Sequence, residues 1–182
     1  VPHYQRVYSE KAFDLFDWNE QVQYLRIKSF SNARENANQA RAFANQLEKQ
    51  LKASHLVIDL RGNTGGAQRV SQPFYKILKR YQKKGKIWVL TNYNTVSNAE
   101  QFTLKLRGLK GTTLLGMTTN GQLSYGKNRA NTKTLPSSYF IFKYTDMDFS
   151  RFLEYEELGV KPDIWLDPDT DWKEQALKII NK

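Results

Sequence analysis

The fold is set by one stretch of the sequence, His55-Leu56-Val57-Ile58-Asp59-Leu60-Arg61-Gly62-Asn63-Thr64-Gly65-Gly66. Its first half is a short apolar run, which is typical of a strand buried on both faces of a parallel sheet. The run stops at a polar segment rich in glycine, which indicates a tight turn. We therefore expect an interior strand that ends in a glycine loop.

Helical and strand patterns alternate on both sides of this stretch. Residue types and apolar spacing predict three helices, at 32–53, 67–84 and 97–109. Short β-prone runs predict three further strands, at 22–27, 86–91 and 112–116. Strands that alternate with helices are the signature of parallel βαβ crossovers. The sequence thus predicts an α/β fold with a layered βαβ core.

The two ends of the chain depart from this pattern. We expect residues 1–22 to form a lead-in segment. After a polar stretch, the aromatic run 139–144 predicts an added antiparallel β segment, and a last helix is expected from about Asp171. A chain of 182 residues has the size of one domain, so we expect a single domain over 1–182. The first residue is not Met, and we expect the C-terminal fragment of a longer protein.

Composition narrows the class of protein. With 40% hydrophobic residues the chain is expected to be globular. The formal charge of +10 permits anionic partners, but the densest basic run, 79–86, falls at a predicted helix end, where cations complement the helix dipole. We therefore expect no nucleic-acid partner. Cysteine is absent, which excludes disulfides, thiolate zinc sites and a cysteine nucleophile, and no apolar run is long enough to span a bilayer.

Ser97 lies where a predicted strand ends and a predicted helix begins. At such a position helix N–H groups surround the hydroxyl and favour negative charge beside it, as a nucleophile requires. The run Ser97-Asn98-Ala99-Glu100 is also a well-formed capping box, and on spacing alone capping explains it better than catalysis. Similarly, Gly65 and Gly66 allow close approach of a substrate, but they also suit a simple strand-to-helix turn.

Several motifs occur in a fixed order along the chain, and their order gives information that no single motif provides. They are Tyr24-Leu25-Arg26-Ile27-Lys28-Ser29-Phe30, the stretch 56–66, Ser97-Asn98-Ala99-Glu100, Thr119-Asn120-Gly121 and Gly159-Val160-Lys161-Pro162-Asp163. In this order the sequence resembles the C-terminal processing (tail-specific) peptidases and their tricorn-like relatives. The resemblance covers the chain from Tyr24 to the final helix.

The resemblance implies a core of the ClpP/crotonase-like type and a serine peptidase that needs no metal or cofactor. It implies that Ser97 attacks the scissile carbonyl and that N–H groups of Gly65, Gly66 and Asn98 form the oxyanion hole. Peptides or proteins are the implied substrates, and the bacterial cell envelope, periplasmic or secreted, is the implied location.

The sequence departs from the family in the general base. Gln122 occupies the place of the lysine used by the better-known branch, and an amide cannot accept a proton at neutral pH. We expect Gln122 to bind substrate backbone or to support the oxyanion region, while Lys127 is an alternative base. The tricorn-like branch uses a histidine and a glutamate, and Glu156 matches the glutamate, although it also fits a solvated acidic run.

No histidine of the sequence fits the remaining catalytic role. His55 begins the buried strand, and the neighbours of His3 do not match the family motif. We therefore expect the base to lie upstream of Val1. The alternative function is a peptide-binding domain on the same fold that has lost catalysis, consistent with Gln122.

Overall fold

The computed structural model describes residues 2–127 and 132–182. The strands in these residues are β1 (Phe13–Asp17), β2 (Val22–Ile27), β3 (His55–Asp59), β4 (Lys86–Thr91), β5 (Thr112–Gly116), β6 (Tyr125–Gly126), β7 (Thr132–Thr134), β8 (Ile141–Lys143), β9 (Met147–Asp148) and β10 (Ile164–Trp165). The α-helices are α1 (Arg34–Gln50), α2 (Gln68–Tyr81), α3 (Asn98–Arg107) and α4 (Trp172–Ile180). Short 3₁₀ helices cover His3–Gln5 and Ser150–Tyr155.

The main sheet has six strands in the order β1-β2-β3-β4-β5-β10. Strands β2, β3, β4, β5 and β10 run parallel to one another, and β1 joins the edge antiparallel to β2. The α/β fold with a layered parallel core is therefore confirmed. Because the strands are parallel, the carboxyl ends of β3, β4 and β5 meet at one edge, and the loops that leave them lie side by side.

Helices cover both faces of this sheet. Side chains such as Ile58 and Val89 pack with α1, α2 and α3 on one face. Their neighbours in sequence, such as Val57 and Leu90, pack with Trp172 of α4 on the other. Successive strand residues point to opposite faces, so a continuous apolar run such as that of β3 is what a sheet covered on both sides requires.

The segment expected as a lead-in contains β1. Its residue Phe13 stacks on Phe74 of α2, with ring centroids 5.7 Å apart. The turn into β2 is held by Asn19, whose Oδ1 accepts the N–H groups of Gln21 and Val22 at 2.9 Å each. The segment thus extends the main sheet by a hairpin.

The added antiparallel β segment is confirmed, in two small pairs outside the main sheet. Strand β6 pairs with β9, and β7 pairs with β8, which lies inside the expected run 139–144. Both β7 and β8 are exposed. None of the helices in the described residues combines the length and the apolar character needed to cross a bilayer.

Candidate active site

Ser97 is held in an unusual backbone conformation at the start of α3, with φ 58° and ψ −123°. These angles match the first central residue of a type II′ turn, a place dominated by glycine. An ordinary N-cap residue lies in the β region instead. A capping box with Glu100 is formed, but capping does not require positive φ. The strain, on the order of 1–3 kcal/mol, is of the kind that clusters at functional sites.

Glu100 organises the backbone around Ser97. It is fully buried, and its Oε2 accepts the N–H of Ser97 at 2.8 Å and the N–H of Gln122 at 3.0 Å. Its Oε1 accepts the Thr119 hydroxyl at 2.6 Å and the N–H of Gly121 at 2.7 Å. One carboxylate therefore joins the start of α3 to the loop after β5. From the sequence, Glu100 was expected only to complete the cap.

The glycine loop after β3 lies directly against Ser97. A Cβ placed on Gly65 would come within 2.7 Å of the Val96 carbonyl oxygen and 2.8 Å of the Asn98 nitrogen. Only glycine fits at this contact, because real Cβ atoms are never found so close to backbone atoms. The close approach expected of this loop is therefore present, and it is made to the start of α3.

The N–H groups beside Ser97 differ in availability. The N–H of Gly65, expected in the oxyanion hole, donates to Asn63 Oδ1 at 2.9 Å and is occupied in this conformation. Within the described residues, the N–H groups of Gly66 and Asn98 have no hydrogen-bond acceptor. Of the three N–H groups expected at the oxyanion hole, those of Gly66 and Asn98 are thus the two without an acceptor in the described residues.

Ser97, Gly66 and Asn98 all line one open cleft of about 430 Å³. Its opposite wall comes from the added β segment, through Lys127, Met147 and Phe149. Lys127, the alternative base, is therefore a neighbour of Ser97 across one cleft. It is also the one charged residue that lines this cleft in the described part of the chain.

Gln122 lies in the loop that Glu100 holds, and Glu156 binds the residues that follow Gln122 in the chain. Gln122 is exposed, and its N–H is bound to Glu100. Glu156 is half-buried, and its Oε2 accepts the N–H groups of Leu123 at 3.1 Å and Ser124 at 2.8 Å. Glu156 is thus an anchor for the loop rather than only a solvated charge. Neither residue lines the cleft.

The two histidines lie elsewhere. His55 is at the amino end of β3, opposite the edge that carries Ser97, and its Nδ1 accepts the Trp88 indole N–H at 3.1 Å. Burial, together with Lys86, lowers the pKa of His55. His3 lies beside Arg61, whose guanidinium approaches the His3 carbonyl oxygen at 3.5 Å. Neither is among the residues lining the cleft.

A buried ion pair supports the glycine loop from below. Asp59 and Arg61 are both fully buried and joined by hydrogen bonds of 2.6 Å and 2.9 Å. Burial opposes the charge of Asp59, but the Arg61 and Arg26 guanidinium groups prevail and hold the pKa of this carboxyl below its ordinary value. Tyr24 adds a hydrogen bond of 2.6 Å to the same carboxylate. Motif matching gave these residues no structural role.

Within the described residues, no group of three or more His, Asp or Glu side chains is arranged to hold a metal ion. The arrangement around Ser97 instead offers a hydroxyl, two free N–H donors and a cleft. Such a set suits attack on a carbonyl group and stabilisation of the resulting oxyanion.

Comparison with known proteins places the chain in a family. The model of peptidase family S41 matches the chain in two overlapping parts, residues 21–71 and 67–166. No curated protein matches the sequence.

Solved structures share the fold. A lipoprotein from Streptococcus agalactiae superposes with a TM-score of 0.61 at 18% identity, covering 92% of this chain and 69% of its own. The photosystem II D1 C-terminal processing protease superposes with a TM-score of 0.53 at 19% identity, covering 88% of this chain and 47% of the protease chain. The tricorn protease superposes with a TM-score of 0.55 at 19% identity, covering 89% of this chain and 18% of the tricorn chain. The chain thus spans part of the length of each structure.

At these identities the structures show the fold alone, whereas the family model covers most of the chain and carries the assignment. The resemblance stated from the sequence motifs is thereby confirmed at the level of the peptidase family. The chain belongs to peptidase family S41.

Proposed function

We propose that this chain is the catalytic domain of a serine peptidase and that Ser97 is its nucleophile. The observation that carries the proposal is the strained backbone of Ser97 at the start of α3, on a cleft that also presents the free N–H groups of Gly66 and Asn98. A capping serine needs neither the positive φ nor the open cleft. Both features serve a hydroxyl that must meet a substrate.

The proposed reaction is acyl transfer. The Ser97 Oγ attacks the carbonyl carbon of a peptide bond, and the N–H groups of Gly66 and Asn98 hold the oxyanion. Each such donor contributes on the order of 3 kcal/mol to the transition state. The general base takes the proton of Ser97 during the attack and gives it to the leaving amine as the tetrahedral intermediate collapses to an acyl-serine, which water then hydrolyses.

The side chain of Asn98 carries a buried acceptor beside the cleft. Gln101 Nε2 donates to the Leu123 carbonyl oxygen at 2.8 Å, and this hydrogen bond fixes the orientation of the Gln101 amide. The other terminal atom, Gln101 Oε1, is therefore an acceptor. Asn98 Nδ2 donates to that oxygen at 3.4 Å, which leaves Asn98 Oδ1 without a partner among the described residues. The atom is buried in this conformation, so only a turn of the Asn98 side chain would present it to a substrate N–H group.

The general base is proposed to come from outside the printed sequence. Glu156 uses Oε2 to bind the Leu123 and Ser124 N–H groups, and Oε1 has no partner in the described residues. That oxygen suits an imidazole N–H and would orient an incoming histidine, the role a triad acid performs. Lys127 is the alternative base inside the chain, because it lines the cleft with Ser97.

Peptides or proteins are the proposed substrates, and processing near a C-terminus is the proposed mode. The bacterial cell envelope is the proposed location. One of the similar structures is a lipoprotein, and two others are processing or tricorn proteases. A peptide-binding domain without catalysis is the second candidate, and it is favoured by Gln122 in the place of a lysine.

Hydrolysis of an unfolded protein by the full-length protein tests the proposal. Ser97→Ala should lower the rate by about 10⁴-fold or more, because the acyl-enzyme can no longer form. Lys127→Ala should leave most of the activity if the base comes from outside, and should abolish it if Lys127 is the base. Peptide binding without any hydrolysis would favour the second candidate instead.

A further inference from the structure

A second groove adjoins the cleft of Ser97. It has a volume of about 310 Å³ and lies between the N-terminal halves of α1 and α2. Asn32 lines both the groove and the cleft, and it accepts a hydrogen bond from Arg69 Nε. The groove and the cleft therefore adjoin at Asn32.

The groove is strongly basic. Arg34, Arg41 and Arg69 line it, and no acidic residue does. Within the described residues neither Arg34 nor Arg41 has an acidic partner; Arg69 binds only the neutral amide of Asn32. The three guanidinium groups are thus free to bind an anion.

The opposite end of the same helix pair is arranged differently. There Arg80 of α2 makes two hydrogen bonds to Glu48 of α1, at 2.6 and 2.7 Å. The pairing neutralises the arginine where the helices lie far from the cleft. Arg80 is thus paired with a carboxylate, whereas the three arginines of the groove are not, and Lys127 adds a further cation to the lining of the adjoining cleft.

Spacing on α1 indicates the shape of the ligand. Arg34 and Arg41 are seven residues apart on one helix face, which places them about 10 Å apart along the axis. An extended peptide advances about 3.3 Å per residue. Carboxylates about three residues apart in an extended chain would match this spacing.

We propose that the groove of Arg34, Arg41 and Arg69 binds an acidic, extended segment of the polypeptide whose scissile bond lies at Ser97. The proposal rests on the proposed function for the identity of the ligand. It adds a substrate class, namely polypeptides with Asp or Glu in the segment that extends from the cleft past Asn32 into the groove.

Binding to the full-length Ser97→Ala variant tests the groove without requiring catalysis. The probes are two fluorescein-labelled unstructured peptides, identical except that one carries three Glu where the other carries three Gln. At low salt the Glu peptide should bind about tenfold more tightly, because several exposed ion pairs add up to this range. The preference should fall as salt is raised.

Matched variants assign the effect to the groove. Replacing Arg34, Arg41 and Arg69 with Gln should reduce the preference to about twofold or less. Replacing Lys49, Lys76 and Lys79 with Gln removes the same charge from the same two helices and should leave the preference intact. Equal affinity for both peptides, or an equal loss in the two triple variants, would overturn the proposal.

The activity of the unsubstituted protein separates this proposal from the proposed function. If Ser97 is active and the groove binds substrate, the Glu residues should lower KM and leave kcat nearly unchanged. Hydrolysis with no preference for the Glu peptide would refute the groove alone. A Glu preference in binding without any hydrolysis would refute catalysis and keep the groove.

Discussion

Ser97 has a backbone conformation that glycine adopts more readily than serine. Ser97→Gly should be more stable than Ser97→Ala by about 1–2 kcal/mol, because glycine relieves the strain of the positive φ and also caps helices better than alanine. Urea denaturation of both variants measures the difference. Equal free energies of unfolding would show that the position is not strained.

Glu100 makes more contacts than its predicted role in a capping box requires. Its carboxylate accepts four hydrogen bonds, and an amide could accept at only one of its two terminal atoms. Glu100→Gln should therefore destabilise the fold by about 2–3 kcal/mol, as expected when buried donors lose their acceptors.

Glu174 provides a matched control for this variant, because it occupies the same third position of α4 but is exposed. Glu174→Gln should change the free energy of unfolding by less than about 0.5 kcal/mol. Similar losses in the two variants would mean that Glu100 acts only as a helix-terminal charge.

At the scale of elements, the contact between the glycine loop and α3 shapes the site. Gly65→Ala should be destabilising by several kcal/mol, because the new Cβ would overlap backbone atoms of the loop before α3 and of its first residue. Gly62 also has positive φ, but a Cβ there would meet nothing within 4 Å. Gly62→Ala should cost only about 1 kcal/mol.

Thermal unfolding of the two glycine variants measures this difference. If both lose the same stability, the loop does not lie against α3 as described. If only Gly65→Ala loses stability, the packing that presents Gly66 beside Ser97 is supported.

Elements with strong local patterns could be predicted from the sequence. Strands β4 and β5 were expected at the bounds they have, because each is a compact β-prone run between helices. Helix α1 is shorter than expected and ends at Gln50, since Leu51 leaves the helical region with ψ 104°. The strand β1 was missed, although Phe13-Asp14-Leu15-Phe16-Asp17 followed by an Asn19 turn is a recognisable hairpin signal.

The candidate site could be predicted only in part. The sequence placed Ser97 and the glycine loop at the same edge, because parallel strands end together. It could not show that Glu100 reaches Thr119 and Gly121, since that contact depends on the packing of two loops. Nor could spacing show Lys127 in the wall of the cleft, because the turns between β5 and β6 determine its position.

At the scale of the whole molecule, stability should depend on acidity through Asp59. Its pKa in the folded state is below the unfolded value of about 3.9, so its charge stabilises the fold above that pH, and the contribution is lost as the pH falls further. Asp59→Asn should cost about 3–5 kcal/mol at pH 7, because it leaves Arg61 buried without a counter-charge.

The difference between Asp59→Asn and the unsubstituted protein should shrink as urea denaturation is repeated at lower pH, towards pH 3. A difference that stays constant between pH 7 and pH 3 would mean that the ionised carboxylate contributes nothing specific. Such a result would also weaken the view that this pair supports the glycine loop.

The most direct measurement is mass spectrometry of the full-length protein after treatment with a fluorophosphonate, which reacts covalently with activated serines. We expect one adduct, located by peptide mapping on Ser97 and absent from the Ser97→Ala variant. A folded full-length protein that gains no adduct, or that carries it on another serine, would contradict the assignment of Ser97 as the nucleophile.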